Sequence, residues 1–289
     1  MPAPNDPQTV QQIYQNDEDL RTRQDIHAKY TVPSINYVDW VIQNILWRGD
    51  EHVLDVGSGS GSYHPALQKL YPNVSYFGFD VSAGMLDNHP AKDRVIQADA
   101  QKIPFQDHTF DVIMANHMVY HLQDIEAGLT EFKRLLKPEG LLMVATNSTQ
   151  SMPELQVLMR RAILLLTRTG SAHIQPPRPA SDLFALENGS RRLSRHFYAV
   201  VRYDLPSKLV FPEIDPIMQY LESTRAMREP QLPEDVAWDD VMMIMRQQIT
   251  HLVNHLGELV VNKLSGVLLA SDQGGFIQSF IERRNSNHK

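Results

Sequence analysis

The chain has no cysteine in its 289 residues. That excludes disulfides, thiolate metal sites and cysteine nucleophiles. It also fits a reducing compartment, so a cytoplasmic protein is expected. Long apolar runs are missing too. The longest, such as residues 162–166, fall far short of the roughly 20 residues that cross a bilayer, and the opening MPAPNDPQTV has no basic stretch followed by an apolar core. Neither a membrane span nor a signal peptide is therefore expected. Positive charge is scarce: 27 Lys and Arg against 34 Asp and Glu give a net charge of -7. Such a surface offers no general attraction to phosphate backbones, so nucleic acid is a poor partner. The basic groups Arg160-Arg161 and Arg191-Arg192 with Arg195 are small and read as solvated surface. What is present is a globular composition, 42 % hydrophobic, well above that of disordered chains. The length suits one core domain carrying an insertion.

Hydrophobic periodicity organises the chain. Helices are predicted over 7–23 and 34–47; in the second, Ile35, Val38, Val41, Ile42 and Ile45 recur at helical spacing, with Ser34 as N-cap. From His52 short β-rich runs (52–56, 74–80, 94–98, 110–115 and 141–146) alternate with helical stretches (62–70, 83–88 and 124–136). This alternation predicts an α/β fold, a parallel sheet with helices on both faces. Lys137-Pro138-Glu139-Gly140 supplies a helix stop. Further on, helices are predicted at 153–169, 214–228 and 238–262, and strands at 196–202, 207–211, 266–270 and 276–280, with Pro206 as an interruption. The corresponding division is N-terminal helices at 1–47, a core at 48–150, a helical insertion at 151–265 that includes a late core strand near 196–211, and the last core strands at 266–289. The cluster Met242, Met243 and Met245 reads as core packing ahead of a malleable pocket.

The strongest chemical signal is Val53-Leu54-Asp55-Val56-Gly57-Ser58-Gly59-Ser60-Gly61: a buried strand, an acidic residue near its end, then a glycine-rich turn into a helix. Glycines there permit positive φ and close approach of a ligand to the backbone, and amides at a helix start can bind an anion. A dinucleotide site uses much the same turn, but Ser62 stands where its third glycine belongs. The next strand ends at Asp80, 23 residues past Gly57, where a carboxylate can accept both ribose hydroxyls. The third ends at Asp99, placed to accept from an adenine amino group, and the fourth at Asn116-His117. Each Asp alone has a plain reading as a helix cap. Polar residues at four successive strand ends point to a ligand at that sheet edge.

These residues together resemble the class I S-adenosylmethionine (SAM)-dependent methyltransferases, and within them the small-molecule group that includes ubiquinone- and menaquinone-biosynthesis-type enzymes. The resemblance rests on residues 54–61, on Gly78-Phe79-Asp80-Val81-Ser82, on Asp99-Ala100-Gln101-Lys102-Ile103-Pro104-Phe105, on Phe110-Asp111-Val112-Ile113 and on Leu136-Lys137-Pro138-Glu139-Gly140, about a third of the chain. It implies a Rossmann-like, seven-stranded, mostly parallel sheet with an antiparallel last strand, covered by N-terminal helices and by helices inserted after the fifth strand; it casts the helices at 1–47 as a lid and the insertion at 151–265 as a cap. It also implies that Asp55, Gly57, Ser58 and Gly59 face the methionine part of SAM, that Asp80 binds the ribose, with Met85 against the adenine, Asp99 and Ala100 at the adenine edge, and Asn116 and His117 beside the cofactor, and that Val81 is a further cofactor-binding residue.

SAM carries its methyl group already activated, so such a protein has mainly to align an acceptor and exclude water. Where a base is needed, His121 is preferred, with His117 second; four apart, they would share a helical face. A structural hydrogen bond from His121 is the plain alternative. No metal is expected, because Met118 stands where a zinc H-E-x-x-H motif needs Glu. Lack of cysteine closes the covalent route to pyrimidine C5 methylation. Asn116-His117-Met118-Val119 in place of Asp/Asn-Pro-Pro-Tyr/Phe argues against amino methylation of nucleic-acid adenine. The expected partner is a small-molecule acceptor, with oligomeric state and the methylated element open. The alternatives are an NAD(P)-dependent oxidoreductase and a non-catalytic SAM-binding protein.

Overall fold

The computed structural model describes residues 5, 10, 13–14, 17–167 and 175–274. Among these, eight strands form one mixed sheet: β1 (Thr31–Val32), β2 (His52–Val56), β3 (Ser75–Asp80), β4 (Val95–Gln97), β5 (Phe110–Met114), β6 (Leu136–Asn147), β7 (Ala199–Phe211) and β8 (Leu259–Ser271), in the order β1-β7-β8-β6-β5-β2-β3-β4. The five strands from β6 to β4 are parallel, β8 is antiparallel to β6, and β7 and β1 follow in alternation. The α/β expectation holds. The sheet is more mixed than a seven-stranded, mostly parallel one, and the two-residue β1 adds an eighth strand at its edge.

The chain winds from β2 outward to β4, then returns to place β5 on the other side of β2. That reversal is a topological switch point. The helices that follow β2 and β5 pack on opposite faces of the sheet, and the strands' C-terminal ends at such a point are the usual ligand position in open α/β sheets.

Burial follows the period-2 alternation of strands. Leu54, Val56 and Ile113 face one side, packing with Leu129 and Phe132 of α5 (Ile125–Leu135). Val53, Val112 and Met114 face the other, packing with Val41 and Ile42 of α2 (Tyr37–Ile42) and Leu67 of α3 (His64–Leu70). Asp124 caps α5 by accepting from the Ala127 N–H at 3.0 Å. A third core lies off the main sheet. β7 and β8 stay paired for six residues beyond the end of β6, from Pro206↔Leu264 to Phe211↔Leu259. This ribbon of about 20 Å rises past the crevice edge and is covered by α1 (Glu18–Tyr30), α6 (Pro153–Leu166), α8 (Ile214–Glu222) and α10 (Trp238–Leu256).

Several boundaries differ from the periodicity. The second helix is only Tyr37–Ile42, capped by Asn36, whose side chain accepts from the Asp39 N–H, and not by Ser34. β6 starts directly at Leu136, so Lys137-Pro138-Glu139-Gly140 lies within an irregular strand start and not in a loop. β7 runs unbroken through Pro206; on that flank β1 pairs only with Lys208 and Leu209, so no neighbour there asks Pro206 for an N–H. The 214–228 stretch is two helices, α8 and α9 (Arg225–Arg228). The long helix stops at Leu256, because Gly257 takes φ +84°, and β8 begins at Leu259 inside the segment assigned to the cap. Met242 and Met245 are buried in the third core while Met243 faces solvent. The strand expected at 276–280 and seven positions of the helix expected at 7–23 lie outside the described residues; the helix that is described runs over Glu18–Tyr30, later than expected. No described helix is long and apolar enough to cross a membrane.

Candidate functional site

The turn after β2 is built on positive φ at Gly57 (+66°), Gly59 (+55°) and Gly61 (+81°), which L side chains adopt only with strain. A Cβ on Gly57 would lie 2.7 Å from the Cβ of Met118, in the loop after β5. Gly57 is thus glycine because the two switch-point loops touch there. On Gly59 the nearest atom would be the tip of Met85, 3.1 Å away, so Met85 packs against that end of the turn. Met85 is buried, as is Ser58.

Asp80 ends β3 and reaches back to the turn. Its Oδ2 accepts the Gly59 N–H at 3.0 Å and its Oδ1 accepts the Ser82 N–H at 2.9 Å. A carboxylate has about four acceptor positions, so two remain for hydroxyl donors. Burial pushes the Asp80 pKa up, partly offset by these N–H groups. Asp55 is more deeply buried, 2 % exposed, and its pKa is pushed up to about 7 by burial. Tyr76 donates to Asp55 Oδ2 at 2.9 Å. His89 accepts the Ala91 N–H on Nδ1, so its proton sits on Nε2 and is donated to the Tyr76 oxygen at 3.1 Å. Burial holds His89 neutral, with a pKa near 4.

The two residues expected at the adenine edge divide. Ala100 is buried, whereas Asp99 is exposed, its Oδ1 turned to the Gln101 N–H at 2.9 Å. Val81 is 45 % exposed on the rim. After β5, the buried Asn116 accepts the Ala145 N–H on its Oδ1, and its Nδ2 is buried without a hydrogen-bond partner among the described residues. A buried amide donor of this kind normally meets an acceptor, in a bound molecule if not in the protein.

His117 and His121 do not share an α-helical face. His117 has φ +55°, and residues Val119–His121 form a single 3-10 turn. Each imidazole meets a tyrosine from the N-terminal region: His117 Nε2 lies 2.9 Å from the Tyr37 hydroxyl, and His121 Nε2 lies 3.0 Å from the Tyr14 hydroxyl. Both residues are half-buried, and desolvation of their rings holds them neutral, with pKa values near 4 for His117 and 3 for His121. His121 Nδ1 is buried and unpartnered among the described residues. The Tyr14 carbonyl accepts from Ser82 Oγ at 2.7 Å, which draws the N-terminal segment across the crevice beside Asp80.

A family described as a methyltransferase domain matches residues 54–144. A demethylmenaquinone methyltransferase of Corynebacterium urealyticum is 30 % identical over 159 residues, covering 50 % of this chain and 67 % of that protein. The chain belongs to the methyltransferase-domain family. A malonyl-[acyl-carrier protein] O-methyltransferase of Legionella pneumophila is 31 % identical over 110 residues, 36 % of this chain and 39 % of that protein. The chain thus spans about two fifths of the length of the malonyl relatives it matches. Among solved structures, a putative methyltransferase from an antibiotic biosynthesis pathway of Anabaena variabilis superposes with a TM-score of 0.55 at 14 % identity, covering 86 % of this chain and 99 % of that one; at that identity the likeness is one of fold.

Sequence reasoning missed the inner wall of this methyltransferase domain. Tyr76 pairs with Val53 in register, which puts it on the same sheet face as Asp55 two residues along. That relation is visible only once the register is known. Tyr14, Tyr37, Arg23, His27 and Lys263 come from segments read as lid or cap, with no motif to mark them. The one available signal was Lys263, a lone cation in Leu259-Val260-Val261-Asn262-Lys263-Leu264. The basic groups singled out earlier are surface: Arg160, Arg161 and Arg191 are exposed, and Arg192 pairs with Glu126 at 2.8 Å.

Proposed function

We propose that the chain transfers a methyl group from SAM to a small-molecule acceptor enclosed between the sheet edge and the helices above it. The observation that carries this reading is the bond from the Gly59 N–H to Asp80 Oδ2 at the switch point. It joins the glycine turn and the ribose carboxylate into one crevice floor, and the residues present fit SAM. Asp80 keeps acceptor positions for two hydroxyls, Met85 forms an apolar wall for the adenine, Asn116 Nδ2 offers an unused donor, and Asp55 stands where the methionine ammonium would lie. Ser58, Val81, Asp99 and Ala100 complete the cofactor contacts in this assignment.

Bound SAM supplies a methyl group on sulfonium, ready for in-line attack. This chain's residues supply alignment and dryness. The N-terminal residues to 47 act as a lid, with Tyr14 and Tyr37 set over the crevice, and the helices of 151–265 act as a cap. His121 is assigned to orienting the acceptor. Its low pKa makes it a poor store for a proton but a good neutral hydrogen-bonding group, and its unpartnered Nδ1 is the atom available. His117 steadies Tyr37 in the same wall.

Incubating the full chain with radiolabelled SAM and a metabolite extract tests the reading. Label moving to a small molecule supports it. SAM binding without transfer to any fraction would leave a non-catalytic binder and overturn it.

A further inference from the structure

The charges around the crevice are sorted. Asp55 and Asp80 lie on the floor, beneath the place assigned to a cationic cofactor. Above them, the ribbon and α1 contribute cations. Lys263 on β8 is half-buried; its ammonium lies 3.4 Å from His27 Nδ1 and 5.7 Å from the centre of the Tyr37 ring. Arg23, four residues before His27 on the same face of α1, is half-buried and donates to the Ser223 carbonyl. Neither has a carboxylate within ion-pair distance among the described residues. The groups around them are neutral. His27 is held uncharged, its pKa near 3, by burial and then by the two cations, and the Lys263 pKa falls to about 8 through burial.

Two half-buried cations without a counter-charge are costly, since an ion withdrawn from water loses hydration that only an opposite charge replaces. Surface Lys and Arg usually avoid this by extending to solvent. The contacts here continue inward instead, from Lys263 to Tyr37, and from Tyr37 to His117 at the edge of the cofactor crevice. Arg23 acts on the parallel arm, where its charge is felt at His121 and Tyr14.

We infer that the methyl acceptor carries an anionic oxygen group, seated between Lys263 and Arg23 under the cap. The inference rests on the proposed methyl transfer for the word acceptor, but the anion site stands on its own geometry. It adds a specificity element, with Lys263 and Arg23 selecting acidic acceptors and holding them on the far side of the cationic sulfonium from Asp55 and Asp80. Charge-assisted bonds to such a group are short and about twice as strong as neutral ones.

Ligand-observed NMR with benzoate, phenyl phosphate and uncharged benzamide tests this on the full chain, with and without S-adenosylhomocysteine. At least one anion should bind about tenfold or more tightly than benzamide. Which anion prevails distinguishes a carboxylate from a phosphate. Lys263→Met should abolish the preference and Lys263→Arg should keep most of it, with thermal melting to show that both are folded. Equal binding of the three probes, binding by none at millimolar concentration, or a preference that survives in Lys263→Met would overturn the inference. Failure of S-adenosylhomocysteine to bind would instead sink the methyltransferase reading, and the cofactor-free titration would still decide the anion site.

Discussion

Replacing Asp80 by Asn separates the two jobs assigned to that side chain. Asn keeps the shape and one carbonyl acceptor, but turns an amide N–H toward one of the two backbone donors now 3.0 and 2.9 Å from the carboxylate. Either the Gly59 or the Ser82 N–H loses its partner, which costs about 1–3 kcal/mol of stability. The cofactor loses a charged acceptor as well. Hydrogen bonds to charged groups contribute about 1.5–3 kcal/mol, which corresponds to roughly a 10- to 150-fold weaker SAM affinity. Calorimetric titration with SAM and S-adenosylhomocysteine, beside thermal melting, reads both effects. A folded variant that melts lower yet binds SAM within about twofold of the parent would show Asp80 to be only a loop anchor, and the ribose assignment would fail.

Other outcomes follow from the same geometry. The raised pKa of Asp55 means the native state holds a proton that the unfolded chain releases, so this group's contribution to stability is present below about pH 4 and is lost as pH rises through about 7. If the cofactor ammonium meets Asp55, SAM affinity should rise over that interval and binding near pH 6 should release protons, seen as a buffer-dependent calorimetric heat; pH-independent binding without release would refute the contact. Tyr76→Phe removes a donor that lowers the Asp55 pKa and should move the transition to higher pH. Gly57→Ala must displace Met118 and accept strained φ, so SAM affinity should drop at least about tenfold with a lower melting temperature; an unchanged melting curve would contradict the 2.7 Å contact. His121→Ala should lower turnover while leaving SAM affinity nearly intact, and full activity would remove it from the acceptor site.

The part of the molecule readable in advance was the part where one short segment carries its own instructions. Val53–Val56 is apolar on both faces apart from Asp55, and the glycines after it need positive φ, so strand and turn follow from a dozen residues. Asp80 was found because it closes the neighbouring strand at a fixed distance in sequence. Asp99 lies two residues past β4, and a strand end in the sequence does not say which way its side chain turns: it is exposed, and its Oδ1 accepts the Gln101 N–H. The inner wall was hidden for a different reason. Tyr14, Tyr37, Arg23 and Lys263 are separated by up to 249 positions and meet only because the β7–β8 ribbon outruns β6. The ribbon itself was obscured by Pro206, read as a break, and by the apolar Leu259–Val261, which continues the helical pattern until Gly257 is given its weight as a stop.

A crystal structure of the full chain with S-adenosylhomocysteine tests the central claim most directly. The ribose hydroxyls should lie within hydrogen-bond reach of Asp80, the adenine against Met85 and the amino-acid end near Asp55 and the Gly57–Gly59 turn. A ligand bound elsewhere, or one lying in the crevice with Asp80 turned away from its ribose, would contradict it.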